Sequence, residues 1–192
     1  MKLEGKRIGV AMTGSHCTFG QVMPQFGLLQ KAGAILYPIL SPAVQTTDTR
    51  FGPAVEWVKQ VVEIAGKEPW LTITDVEPIG PQKLLDLLLI APCTGNTLAK
   101  LANGVVDSSV LMAAKAQLRN NRPVLLFIST NDGLGLNAVN LARLLNVKNI
   151  FMVPFGQDNP LEKPNSLVSK PGKILAAAEA ALEGRQLQPL LV

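Results

Sequence analysis

Apolar runs of strand length alternate with amphipathic stretches along this chain of 192 residues. Arg7–Met12, Ala34–Leu40, Leu84–Ile90, Pro123–Ile128 and Asn149–Val153 read as buried strands, because each is short, apolar and bounded by turn residues. Between them, helical spacing predicts a helix over Phe19–Lys31, with Phe19, Val22, Met23, Phe26 and Leu29 on one side. Pro24 predicts that this helix is kinked or starts late, and Gly33 marks its end. Pro53 opens a second helix with Val55, Val58, Val61, Val62 and Ala65 on a shared side, ended by Gly66. Further helices are predicted to Arg119 behind the cap Asp107-Ser108-Ser109, over Leu136–Leu145, and from Pro171 through Leu182. Leu71–Val76 alternates and predicts a further strand or sheet edge, and Pro81–Leu85 a short link of one helical turn. Ser41–Arg50 and Gln157–Lys170 read as polar loops, and the apolar tail Gln186–Val192 as a segment that docks on a neighbour.

Strands alternating with helices imply right-handed crossovers and a parallel sheet covered on both faces. The expected architecture is a doubly wound, Rossmann-like α/β fold, a single domain over residues 1–192 whose last part, 155–192, is a loop, a helix and a tail. On such a sheet the carboxyl ends of the strands lie along one edge, where ligands bind. Four of those ends are polar here. Thr13-Gly14-Ser15 follows the first strand, Ser41 the second, Cys93-Thr94-Gly95-Asn96-Thr97 the central run, and Ser129-Thr130-Asn131-Asp132 the run ending at Ile128. The central turn leads into Leu98, Ala99, Leu101 and Ala102 at helical spacing, so free N–H groups and a helix dipole meet there. Two readings stay open on residues alone: ordinary capped turns, with Thr94 or Asn96 as cap, or a converging site for a phosphate-bearing ligand.

Composition narrows the function classes. Charged residues make up only 17% and hydrophobic ones 47%, which suits a covered sheet and surface hidden in a homo-oligomer. The net charge of +4 is scattered and aromatics are 5%, so nucleic-acid binding has little support. No run approaches the ~20 apolar residues that span a bilayer, and Met1–Arg7 runs directly into a strand without a signal peptide. Cys17 and Cys93 form neither a metal spacing nor a disulfide framework, and His16 is the one histidine. A reducing cytoplasm without metal is expected.

Other motifs are weaker. Gly133-Leu-Gly135-Leu-Asn-Ala138 has dinucleotide spacing, but it follows a late strand and lacks the acidic residue beyond it, so it reads as a tight turn. Gly14–Gly20 has neither the spacing nor the lysine of a Walker loop. His16 has no carboxylate near it in sequence to make it a base. Cys93 beside a helix N-terminus would have a lowered thiol pKa, yet lacks a paired His, so a small packed residue is the default.

Gly14-Ser15 and Ala91–Asp107 resemble the flavoprotein family of homo-oligomeric flavin-containing Cys decarboxylases. That family's Pro-Ala-Ser-x-Asn-Thr-x-Ala-Lys-x-Ala-x-Gly-Ile-Ala-Asp pattern is matched at Pro92, Thr94, Asn96, Thr97, Ala99, Lys100, Ala102, Gly104 and Asp107, and the resemblance extends to about Ile150. It implies FMN as cofactor, with Gly14, Ser15 and Ser41 at the phosphate and Thr94, Asn96 and Thr97 near the isoalloxazine ring. With Cys93, Ser129, Thr130 and Asn131 these form the expected cofactor-binding set; the residues that do chemistry are not legible.

Two departures turn the reading away from cysteine decarboxylation. The family's catalytic His lies in the helix after the second strand, and Phe51–Ala65 has none. Its Pro-x-Met-Asn motif is replaced by Ser129–Leu134. The loop Phe155–Val168 is instead similar to a branch of the family that acts as one subunit of a two-subunit oxidoreductase. That resemblance implies a partner subunit with its own NADP domain, a dihydropyridine dicarboxylate substrate, and work in the mother-cell cytoplasm of a spore former. Arg50 and Lys163, both in long loops, are the candidates to grip the carboxylates. Alternatives of the same family are a decarboxylase, a prenyl-flavin type transferase, or a non-catalytic subunit that stabilises its partner.

Overall fold

A computed structural model describes residues 3–192. The chain runs β1 (Arg7–Met12), α1 (Phe19–Lys31), β2 (Ile35–Leu40), α2 (Pro42–Thr46), α3 (Ala54–Ala65), α4 (Ile73–Val76), α5 (Ile79–Gln82) and β3 (Leu87–Cys93). It continues with α6 (Gly95–Ala102), α7 (Ser109–Arg119), β4 (Val124–Thr130), α8 (Ala138–Leu145), β5 (Ile150–Met152), β6 (Phe155–Gly156), β7 (Leu167–Ser169) and α9 (Ile174–Leu182). Among the described residues the strands form one sheet in the order β2-β1-β3-β4, and β4 shares its far edge between two neighbours. Its lower half pairs parallel with β5, and its upper end, Ser129 and Thr130, pairs antiparallel with β7, which carries β6.

The core lies on both sides of this sheet, as a covered parallel sheet requires. Val10, Met12, Leu87, Leu89, Leu125 and Phe127 pack with residues of α1 and α9. Ala11, Leu88, Ile90, Val124, Leu126 and Ile128 pack with residues of α7 and α8. β3 is buried along its whole length. Its pairing with β4 steps from Ile90 to Cys93 on one side and from Leu126 to Ile128 on the other, which inserts a bulge just before the central turn. Among the described residues no helix is long and apolar enough to cross a membrane.

Three expectations are corrected. Leu71–Val76 is not a strand: the Thr72 hydroxyl accepts from Asp75 N–H and the Asp75 carboxylate accepts from Leu71 and Thr72 N–H, a capping box that folds the segment into α4. The polar loop after Ser41 contains α2, and Gln157–Lys170 contains β7. α1 spans the expected Phe19–Lys31, begins at Phe19 and contains Pro24. The tail's backbone pairs with β6, Phe155 N–H donating to Leu190 O at 3.0 Å and Val192 N–H to Phe155 O at 3.1 Å, while the Leu191 and Val192 side chains stay exposed.

Candidate functional site

The carboxyl ends of β1, β3 and β4 are tied together before any ligand is considered. Buried Thr13 donates its hydroxyl to Pro92 O at 2.7 Å and accepts from Thr94 N–H at 3.0 Å. Ser15 Oγ donates to Ser129 O at 2.7 Å, and Thr18 Oγ1 donates to Ser15 O at 2.9 Å. Thr94 caps α6 by accepting from Thr97 N–H at 3.2 Å. Gly95 is required at the start of α6: a Cβ there would lie under 3.0 Å from Thr130 Oγ1, Asn137 Nδ2 and Asp132 Oδ1. Those three groups form a network in which Asp132 accepts from Thr130 Oγ1 and from Asn137 Nδ2.

Two cavities open over these strand ends and share Thr94 and Asn96 as a common wall. The first, about 500 Å³, is bounded by Ser15, Thr18, Gln21, Ser129, Thr130, Asn131 and Asp132, with Asp158 and Lys163 from the loop before β7 and Val168 from β7 itself. The second, about 410 Å³, is bounded by Gly14, Ser41, Thr97, Lys100, Asp107 and Ser108. Ser108 caps α7, so the N-terminal turns of α6 and α7 both border this second cavity. Lys100 and Asp107 pair with each other there, which leaves the cavity without net charge.

Ser41 is informative. It is 8% exposed and stands at the N-cap of α2, yet its hydroxyl makes no cap bond and its Oγ has no hydrogen-bond partner. Buried hydroxyls are rarely left unpaired, and one on a cavity wall is poised for a ligand acceptor.

Nine of the ten residues expected to bind cofactor thus border the paired cavities: Gly14, Ser41 and Thr97 the second, Ser15, Ser129, Thr130 and Asn131 the first, and Thr94 and Asn96 both. Ser15 is therefore separated from Gly14 and Ser41, with which the resemblance groups it. Cys93 borders neither cavity. Its side chain is fully buried, its Sγ lies 3.8 Å from Thr94 O, and burial pushes the thiol up to about 12, the reverse of the lowering expected from the helix end. Of the two candidate carboxylate ligands, Lys163 borders the first cavity, whereas Arg50 lies over the Phe51 ring, 4.9 Å from its centroid, and borders neither. His16 holds Gly14 O through Nδ1 at 3.0 Å, and its ring lies tilted against Phe19 with centroids 4.8 Å apart. Thr13 and Asp132, read from the sequence only as members of polar strand ends, prove to tie those ends together, and Thr18, at the start of α1, goes unmarked by any local signal. Among the described residues no cluster of His, Cys, Asp and Glu is arranged to hold a metal ion.

The profile of the Flavoprotein family matches residues 1–178. The chain belongs to the Flavoprotein family. This flavoprotein is 54% identical over 190 residues to the B subunit of dipicolinate synthase from Bacillus subtilis (strain 168), covering 99% of this chain and 95% of the relative. The crystal structure of the corresponding B subunit of dipicolinate synthase from Bacillus halodurans superposes with a TM-score of 0.92 at 48% identity, over 100% of this chain and 98% of that one. AnUbiX (PadA1), solved in complex with FMN and dimethylallyl pyrophosphate, shares the fold at 20% identity, with a TM-score of 0.61 over 79% of this chain and 78% of its own. The match to a doubly wound relative along the full chain agrees with the fold expected of this flavoprotein.

Proposed function

We propose that this flavoprotein is the B-type subunit of a dipicolinate synthase, which holds FMN across the two cavities and acts with an A-type partner carrying NADP. The observation that carries the flavin assignment is the buried, unpartnered Ser41 Oγ on the wall of the second cavity. The residues present fit FMN. Gly14, Ser41, Thr97 and Ser108, with the N-terminal turns of α6 and α7, suit a phosphate, since hydroxyls and helix N-termini favour anions. Thr94 and Asn96 suit the chain between phosphate and ring, and Ser15, Ser129, Thr130 and Asn131 border the space left for the ring.

The reaction is the oxidation of dihydrodipicolinate to dipicolinate, in the cytoplasm of the mother cell during sporulation. Aromatisation removes a hydride and a proton from the ring, and FMN on this chain or NADP on the partner, when bound, would supply the two-electron acceptor. In this assignment the chain's own residues bind and orient: Thr13 and Ser15 lock the strand ends, and Asp132 keeps Thr130 in place. Decarboxylation has no matching observation, because α3 contains no histidine. A homo-oligomer of one-domain chains completes the proposal. The test is reconstitution: this chain alone should not form dipicolinate, and adding the A-type partner with NADP should produce it, followed by the ultraviolet absorbance of the pyridine ring. Full turnover by this chain alone would overturn the two-subunit reading.

A further inference from the structure

The first cavity contains three charged side chains, Asp132, Asp158 and Lys163. Asp132 is already engaged on both oxygens, by Thr130 Oγ1 and Asn137 Nδ2, against the start of α6. Lys163 is the one cation among the described residues that border this cavity. It stands on the loop between β6 and β7, whose backbone is fixed by its own bonds. Lys163 N–H donates to Asn159 O at 2.8 Å, Ser166 N–H donates to Lys163 O at 3.0 Å, and Gln157 Nε2 donates to Pro164 O at 2.8 Å. The lysine's base is thereby held at the cavity mouth while its side chain stays 53% exposed.

Its partner, Asp158, does not depend on it. The two are 3.7 Å apart, an open pair of the kind that contributes little. Burial pushes the Asp158 carboxyl up, but hydrogen bonds from Ser166 and from the backbone of Asp158 and Asn159, with Lys163 nearby, outweigh it and hold it below the ordinary carboxylate value. The carboxylate therefore keeps most of its partners if Lys163 turns away.

We infer that Lys163 is the anchor for a carboxylate of the substrate in the first cavity, and that Asp158 is the resting counter-ion which the substrate displaces. Beyond the groups assigned to the flavin, the neutral amide of Gln21 stands on the same wall and suits the ring edge or a second carboxylate. The cavity so described takes small aromatic or dihydroaromatic carboxylates. This assignment rests on the reading of the site as one for a pyridine dicarboxylate.

The test is calorimetric titration of pyridine-2,6-dicarboxylate into the full chain, with and without FMN, for wild type, Lys163→Gln, Lys163→Arg, Asp158→Asn and the remote control Lys59→Gln. Lys163→Gln should weaken binding by about ten- to a hundredfold, the scale of one lost charge-assisted hydrogen bond. It should also flatten the salt dependence. Lys163→Arg should restore most of the affinity, Asp158→Asn should tighten it, and Lys59→Gln should change nothing. A wild-type chain that does not bind the dicarboxylate, or a Lys163→Gln chain that melts normally and binds as wild type does, would overturn the inference. FMN affinity, followed by quenching of flavin fluorescence, separates the two readings. Loss of FMN binding in wild type with the Lys163 effect intact refutes the flavin assignment alone. Intact FMN binding with no Lys163 effect refutes the anchor alone.

Discussion

Ser41→Ala separates a ligand-binding hydroxyl from a structural one by the sign of two effects. The Ser41 backbone already does the local structural work: its N–H donates to Met12 O at 3.1 Å, and its carbonyl accepts from Val44 and Gln45 at 3.0 and 3.3 Å. The hydroxyl adds nothing to that, since its Oγ is buried and unpartnered. Leaving a buried hydroxyl unsatisfied costs about 1–3 kcal/mol, so its removal from the ligand-free chain should stabilise by about 1 kcal/mol. Alanine keeps the Cβ, and the vacated volume opens onto the cavity, so no sealed void offsets that gain. With FMN bound the same hydroxyl would meet a charged oxygen, a bond of about 1.5–3 kcal/mol, so the variant should lose about ten- to a hundredfold in affinity. Urea unfolding of the stripped protein and quenching of flavin fluorescence read the two numbers. A Ser41→Ala chain that is less stable without ligand and binds FMN as tightly as wild type would refute the assignment of this hydroxyl to the phosphate.

Gly95→Ala should destabilise by about 2–3 kcal/mol, because its Cβ must push apart the Thr130–Asp132–Asn137 network. Gly27→Ala, in α1 with open space around it, should stabilise by about 0.5–1 kcal/mol, and equal denaturation midpoints for the two variants would contradict the packing argument. A disulfide exchange reagent should titrate exposed Cys17 in the native chain and reach buried Cys93 only after unfolding. Because the Cys93 thiol is pushed up to about 12 from 9.0, its contribution to stability is complete below pH 9.0 and falls as the pH rises toward 12; a native chain that releases both thiols at pH 8 would reverse this. Light scattering should find a homo-oligomer, since Leu101, Val105, Val106, Leu111 and Leu118 line an apolar cleft of about 380 Å³ at the surface; a monodisperse 20.5 kDa species would contradict it.

The parallel strands and their polar ends are legible in the sequence because complete burial leaves a local trace. Leu87–Cys93 is apolar on both faces, and Thr94 and Ser108 stand where a cap must. Leu71–Val76 misleads for a stated reason. Its alternation imitates a strand, while Thr72 and Asp75 carry the stronger signal of a capping box. β6 and β7 leave no trace, being two and three residues long and held by pairing with distant Ser129 and Thr130. The tail shares that difficulty: only the tertiary fold says that its backbone pairs with Phe155 of β6. Nor does a sequence distinguish Arg50 from Lys163, since both are loop cations. What separates them is that the loop carrying Lys163 closes over the strand ends. The unpaired state of Ser41 Oγ is likewise a property of the packed site, invisible in a Ser-Pro dipeptide.

The paired cavities joined at Thr94 and Asn96 are assigned to a flavin mononucleotide. The direct measurement is the absorbance spectrum of the purified chain, before and after incubation with FMN and removal of the excess, with mass spectrometry of what denaturation releases. A flavin site makes the loaded protein yellow, with flavin bands in the visible and near ultraviolet, and releases FMN at close to one equivalent per chain. A chain that stays colourless after loading and releases no flavin would contradict the assignment.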